Sequence, residues 1–149
     1  MAEAHFLKPT PVDRIFSKVF GALVKLGVGF RHNFVLEVPG RKSGKLFSTP
    51  VDILEYSGKR YLVAPRGRTE WVRNAEAAGR VTLKKGRDSH QFRIRSVSSA
   101  ERPELLKAYL DSFKTTVQRF FPVKAGAPVS DFVPLAERYP VFELLTPSD

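Results

Sequence analysis

The sequence predicts an antiparallel β-barrel, closed or nearly closed, with helices packed outside it. Three observations predict it. From Asn33 onward, about six short runs rich in Val, Ile, Leu, Phe, Thr and Tyr follow one another, the texture of strands rather than helices. Most connections between them are too short for a crossover, which makes neighbouring strands antiparallel. The 149 residues suit a single core, and neither a repeat nor a βαβ rhythm divides them.

Ahead of the strands, Thr10-Pro11-Val12-Asp13 reads as a helix start, with a capping hydroxyl and proline in the first turn. Ile15, Phe16, Val19, Phe20, Leu23 and Val24 then form one apolar stripe, with Arg14, Lys18 and Lys25 off it, until Gly27 and Gly29 end the run. Residues 1–32 are expected to pack on a single domain spanning 1–149. The basic flank would also suit weak contact with an anionic membrane, but covering a core is the commoner use of such a stripe.

The expected strands are Phe34–Val38, Phe47–Tyr56, Arg60–Ala64, Val81–Lys84 and His90–Val97, with Val141–Leu145 closing the chain. Gly40–Gly44, Ser57-Gly58 and Gly86–Asp88 punctuate the first five as turns. Between the third and fourth, Thr69–Ala78 reads as a short helix with Thr69 as cap and Gly79 as stop. Pro103 opens a second helix, in which Leu105, Leu106, Tyr109, Leu110 and Phe113 share a face. Lys124–Ser130 reads as a loop and Asp131–Tyr139 as a helical turn.

Composition narrows the function. The chain has no cysteine, so disulfides, thiolate metal sites and cysteine nucleophiles are excluded. No apolar stretch approaches membrane-spanning length, and Met1–Thr10 has no secretory-signal pattern, so a soluble cytoplasmic protein is expected. The net charge of +10 is concentrated: residues 39–95 carry fourteen basic and five acidic side chains. That asymmetry predicts a polyanionic partner, with a solvated basic face as the plain alternative.

Common catalytic sites are missing. Gly40–Lys45 is one residue short of a P-loop between its glycines, and Leu46 replaces the magnesium-binding hydroxyl. His5, His32 and His90 stand alone without metal-ligand spacing, and no serine occupies a nucleophile elbow. Two segments stand out instead. Pro39–Lys45 is a turn with three cations (Arg41, Lys42 and Lys45), two glycines and Ser43, followed by Thr49-Pro50. Ala64-Pro65-Arg66-Gly67-Arg68 leaves a strand and enters a helix N-terminus, where backbone donors and the arginines would favour an anion. Trp71 and Asn74, three apart, share a face of that helix. Such a set suits a flat conjugated ligand with a phosphorylated tail.

In this order, Gly40-Arg41-Lys42-Ser43-Gly44, Thr49-Pro50, Tyr61–Gly67 and Trp71-Val72-Arg73-Asn74 resemble the deazaflavin-dependent nitroreductase family. Tyr139-Pro140-Val141-Phe142 is similar as well. The resemblance implies a six- to seven-stranded split β-barrel, related to the flavin-binding pyridoxamine-phosphate oxidases. It implies contacts from Arg41, Lys42 and Ser43 to the phosphate and acidic tail of coenzyme F-420, an 8-hydroxy-5-deazaflavin. Thr49 and Pro50 would lie against the ring system, Pro65, Arg66 and Gly67 at the ring edge or phosphate, and Trp71 and Asn74 nearby. Lys45, Ala64 and Arg68 complete the expected cofactor set. Phe47 departs from the pattern, since some members carry arginine there.

The expected function is hydride transfer from the reduced deazaflavin to an electron-poor organic acceptor such as a quinone, nitro-compound or enone, with no catalytic side chain. Backbone donors near Gly67 would stabilise charge on the ring, and Tyr109 and Phe113 are the candidate acceptor contacts. FMN is the alternative cofactor. A single-stranded nucleic-acid-binding β domain using Phe47, Tyr56, Tyr61, Trp71 and Phe92 is the distant alternative. The expected assembly is a monomer or homodimer, in the cytoplasm or peripheral at the inner membrane face.

Overall fold

The structure, a computed structural model, describes residues 33–146; the Thr10–Leu26 helix expected above lies outside them. Six strands form a closed antiparallel barrel: β1 (Asn33–Pro39), β2 (Leu46–Tyr56), β3 (Lys59–Val63), β4 (Arg80–Lys85), β5 (Asp88–Ser96) and β6 (Val141–Leu145). Around the barrel their order is β1-β2-β3-β6-β5-β4. Helix α1 (Glu70–Ala78) links β3 to β4. Helix α2 (Arg102–Val117) and two 3-10 stretches, 118–120 and Val129–Arg138, link β5 to β6. The 3-10 stretch with Pro134 inside replaces the single helical turn expected over Asp131–Tyr139.

Period-2 alternation sorts the strand residues into two cores. Leu36, Val38, Ile53, Leu62, Val81, Leu83, Phe92, Phe142 and Leu144 fill the barrel interior, and Val72 and Ala75 of α1 join them. Leu54, Tyr61, Val63 and Val141 belong to a second core with Leu105, Leu106, Tyr109, Leu110 and Phe113 of α2 and with Phe121, Phe132 and Tyr139. Glu143 lies between buried neighbours on β6, and two cations serve it: Arg95 at 2.8 Å and Lys59 at 3.8 Å. Its charge is therefore paired rather than stranded.

Gly79 ends α1 as expected, in the left-handed conformation at φ 72° with its N–H donating to the Ala75 carbonyl. Thr69 holds the N-cap position, but its hydroxyl makes no cap bond and is buried without a partner. Helix α2 kinks at Phe113 (φ −121°, ψ 27°). The Thr116 hydroxyl bonds the Phe113 carbonyl at 3.1 Å, the back-bonding that bends helices.

Strand β2 outruns β3. Residues 46–52 pair with β1 and residues 53–56 with β3, so the stretch 46–52 has no β3 partner on its other side. The barrel is thus split along the stretch that carries Thr49 and Pro50. A proline inside a long strand fits there, because that edge asks little of its missing N–H.

Candidate functional site

Residues far apart in sequence meet on α1. The turn after β1 closes on itself: the Gly40 N–H donates to the Lys45 carbonyl (2.7 Å), and the Gly44 N–H to the Gly40 carbonyl (2.9 Å). Gly44 takes φ +75°, and a Cβ on Gly40 would sit 3.0 Å from the Phe47 ring and 3.1 Å from the Lys45 carbonyl oxygen. Both glycines are therefore required by geometry. The Ser43 hydroxyl accepts the Lys45 N–H at 3.2 Å, which fixes the tip of the turn.

Arg41 docks this turn on α1. Its backbone N–H and its Nη1 both donate to Asn74 Oδ1, at 3.1 and 2.8 Å, and Nη1 also donates to Glu70 Oε2 at 2.7 Å. The bond and charge of Arg41 hold the Glu70 carboxyl below its ordinary range. A group lowered in this way keeps its contact through neutral pH and loses it only as acid reaches the lowered value. Arg41 is thus a tie between turn and helix, and Lys42 and Lys45, both exposed, are the turn's other two cations.

The second turn arrives from β3. The Gly67 N–H donates to the Ala64 carbonyl (3.1 Å) around Pro65 and Arg66, and Gly67 takes φ +82°. Pro in the second position and Gly in the fourth are the usual chemistry of such a turn. The Gly67 N–H itself is engaged within this turn. Arg68 turns along α1 to Glu76, 2.8 Å away. Arg66 instead lies over the Phe120 ring, 4.6 Å from its centroid. Glu70 in the first turn of α1 already answers part of the helix dipole.

Trp71 packs half-buried against the barrel core, its ring centroid 6.3 Å from that of Phe142. Asn74 is 2% exposed. Two donors fix its Oδ1, so its Nδ2 must point away, and that donor is buried with no acceptor. Thr49 and Pro50 are half-buried on the split stretch of β2, opposite Leu36 and Val35.

Two expected residues fall elsewhere. Tyr109 and Phe113 are buried in the outer core, edge to face at 5.4 Å, and burial pushes the Tyr109 hydroxyl far above its ordinary value. Covering the sheet is their use; the helical period shows the shared face but not what it covers. The stacking row of the nucleic-acid alternative is broken too, since Tyr61 and Phe92 lie in different cores. Sequence reasoning missed the docking role of Asn74 and Glu70 on Arg41, as well as Phe120 and Arg119. No local pattern marks contacts such as those of Arg41, made across 29 and 33 residues.

A family model described as F420H(2)-dependent quinone reductase matches residues 14–123. The chain belongs to that family. It is an oxidoreductase of the deazaflavin-dependent kind, its cofactor is coenzyme F-420, and the family match favours that cofactor over FMN. No curated protein matches the chain significantly. Among solved structures, one described as a domain-swapped dimer is similar at TM-score 0.53 and 20% identity, over 91% of this chain and 99% of the other. An F420-H2 dependent reductase gives 0.51 at 21% identity, over 76% of this chain and 94% of the other. A NimC/NimA family protein from Clostridium acetobutylicum gives 0.52 at 13% identity, over 88% and 82%. At these identities the likeness shows the fold, a barrel of the same kind.

The residues of this reductase fit the cofactor of its family. Two buried polar atoms without partners, Asn74 Nδ2 and Thr69 Oγ1, lie on or just before α1, on which the first basic turn docks and into which the second leads. An oxygen-rich ligand carrying phosphate and carbonyl groups is what those atoms need. Among the described residues no helix is long and apolar enough to cross a membrane.

Proposed function

We propose that this reductase holds reduced F-420 between the Gly40–Gly44 turn, the split stretch of β2 and the start of α1, and reduces a quinone. One observation carries the reading: Asn74, buried and bound to Arg41, keeps an unmet donor beside the cationic Gly40–Gly44 turn. Lys42 and Lys45 answer the acidic tail, and Ser43 shapes the turn that presents them. Thr49 and Pro50 form the wall for the ring, with Trp71 beside them and Ala64, Pro65 and Gly67 bringing backbone close to its edge. Arg66 supplies charge from the second turn. Arg68, paired with Glu76, is a lesser contact.

Bound reduced deazaflavin supplies the hydride. The chain binds, orients and excludes water, and solvent completes the protonation. The enzyme works in the cytoplasm, as monomer or homodimer. Any contact with the membrane face belongs to residues 1–32.

Lys42→Ala and Arg66→Ala test the assignment. A charge-assisted hydrogen bond is worth about 1.5–3 kcal/mol, so each substitution should weaken F-420 binding roughly ten- to a hundredfold. Calorimetry at low salt reads it, and the loss should shrink as salt rises. Unchanged affinity in both variants would contradict the placement.

A further inference from the structure

Arg66 supplies the charge of the second turn, and arginine is among the side chains with the most rotamer freedom to lose. A cation that must be ordered when its ligand arrives binds more weakly than one already in place. In this structure the Arg66 guanidinium has a place. It lies over the ring of Phe120, 4.6 Å from the centroid, within the distance at which a ring face attracts a cation. Phe120 ends the 3-10 stretch after α2 and is only half-buried, packed against the outer core. Arg119 lies over the same ring at the same distance. A ring that carries two guanidinium groups is used for more than apolar packing.

One dipeptide, Tyr139-Pro140, sets the ring and the turn in register. The Pro140 carbonyl accepts the Ala64 N–H at 2.9 Å, which pins the head of the Arg66 turn. The Tyr139 hydroxyl donates to the Phe120 carbonyl, which pins the backbone under the ring. Tyr139 is itself fully buried and stacks on Phe121 with centroids 4.5 Å apart. Gln118 fastens the chain beyond, its Nε2 donating to the Val123 carbonyl (2.7 Å) and its Oε1 accepting the Ala125 N–H (2.8 Å). The Gly67 N–H closes the turn around Arg66 onto the Ala64 carbonyl at 3.1 Å. Both backbones are therefore fixed, and the freedom left is that of the Arg66 side chain, which the ring takes up.

We infer that Phe120 is a positioning residue: its ring holds the Arg66 guanidinium ready for the anionic groups of the cofactor, and so raises F-420 affinity without touching F-420. The inference rests on the cofactor placement above and adds a residue that acts on it through Arg66. The two interactions of Arg66 are compatible. A guanidinium carries its N–H donors in its own plane, so contact with a ring through its face does not use up the donors on its edge.

The test is a double-mutant cycle on F-420 binding, read by calorimetry at low salt, with thermal melting of each variant measured without cofactor. Phe120→Leu keeps an apolar side chain but removes the ring face, and F-420 affinity should fall about three- to tenfold. The loss should shrink as salt rises. Phe120→Tyr keeps the ring and should bind within about twofold of the unaltered protein. In an Arg66→Ala background, Phe120→Leu should cost nothing further, as expected of a residue that acts through another. Phe120 is half-buried, so the fold should tolerate these changes, and Phe120→Met serves as a second variant without a ring. Unchanged or tighter binding in both Phe120→Leu and Phe120→Met would overturn the inference while leaving Arg66 at the cofactor. An equal loss with and without Arg66 would overturn it too, by marking Phe120 as packing alone. If Arg66→Ala binds F-420 as the unaltered protein does, the placement of Arg66 fails, and the inference falls with it.

Discussion

Replacing Asn74 by alanine should lower F-420 affinity at least tenfold and cost roughly 1–3 kcal/mol of stability, for the two hydrogen bonds that Arg41 loses. Asn74 Oδ1 accepts both the backbone N–H and the guanidinium of Arg41, and it is 98% buried by the complement of its exposure of 2%. Without it the Gly40–Gly44 turn loses its attachment to α1, and Lys42 and Lys45 move with it. Asn74→Asp separates the two roles. It keeps an acceptor for Arg41 and so keeps the turn in place, but it has no donor where Nδ2 was. Melting should stay near the unaltered protein while F-420 binding falls. Equal affinity in Asn74→Asp would mean that Nδ2 does not face the cofactor.

Phe142→Ala should have the largest effect on stability, about 3–5 kcal/mol, in line with other fully buried phenylalanines truncated in cores. The side chain is 2% exposed inside the barrel, on the strand that joins β3 to β5. Its ring is also the neighbour of Trp71. Truncation should therefore lower the midpoint of urea unfolding and shift the emission of Trp71 toward that of a wetter indole. A loss below about 1 kcal/mol would mean that the interior collapses around the cavity or is not packed as described.

Much of this was legible beforehand, for definite reasons. The expected Phe47–Tyr56 strand differs from β2 by one residue, and the Thr69–Ala78 helix from α1 by one, because alternation, glycine stops and Pro-Arg-Gly turn chemistry are local. The site motifs were visible as two basic turns. What local chemistry could not show was the choice of partners. Arg41 looks like a free cation in sequence, yet it is bound across thirty-three residues to Asn74. The Ala64–Arg68 stretch looks in sequence like backbone offered to a ligand, yet the Gly67 N–H closes its own turn. Tyr109 and Phe113 occupy the face that the helical period assigns, but that face covers the outside of the barrel. Closure of the barrel by β3 on β6 and β1 on β4 is likewise a matter of long-range pairing.

Trp71 is the only tryptophan in the chain, and it stands at the proposed cofactor wall. Its emission therefore reports on that site alone. Titration of the purified protein with F-420 should quench it saturably at micromolar cofactor or below, with the midpoint displaced at least tenfold in Lys42→Ala and Arg66→Ala. FMN should compete poorly, since it offers one phosphate and no acidic tail to the cations of the first turn. No quenching and no heat of binding at micromolar F-420, or tighter binding of FMN, would contradict the account.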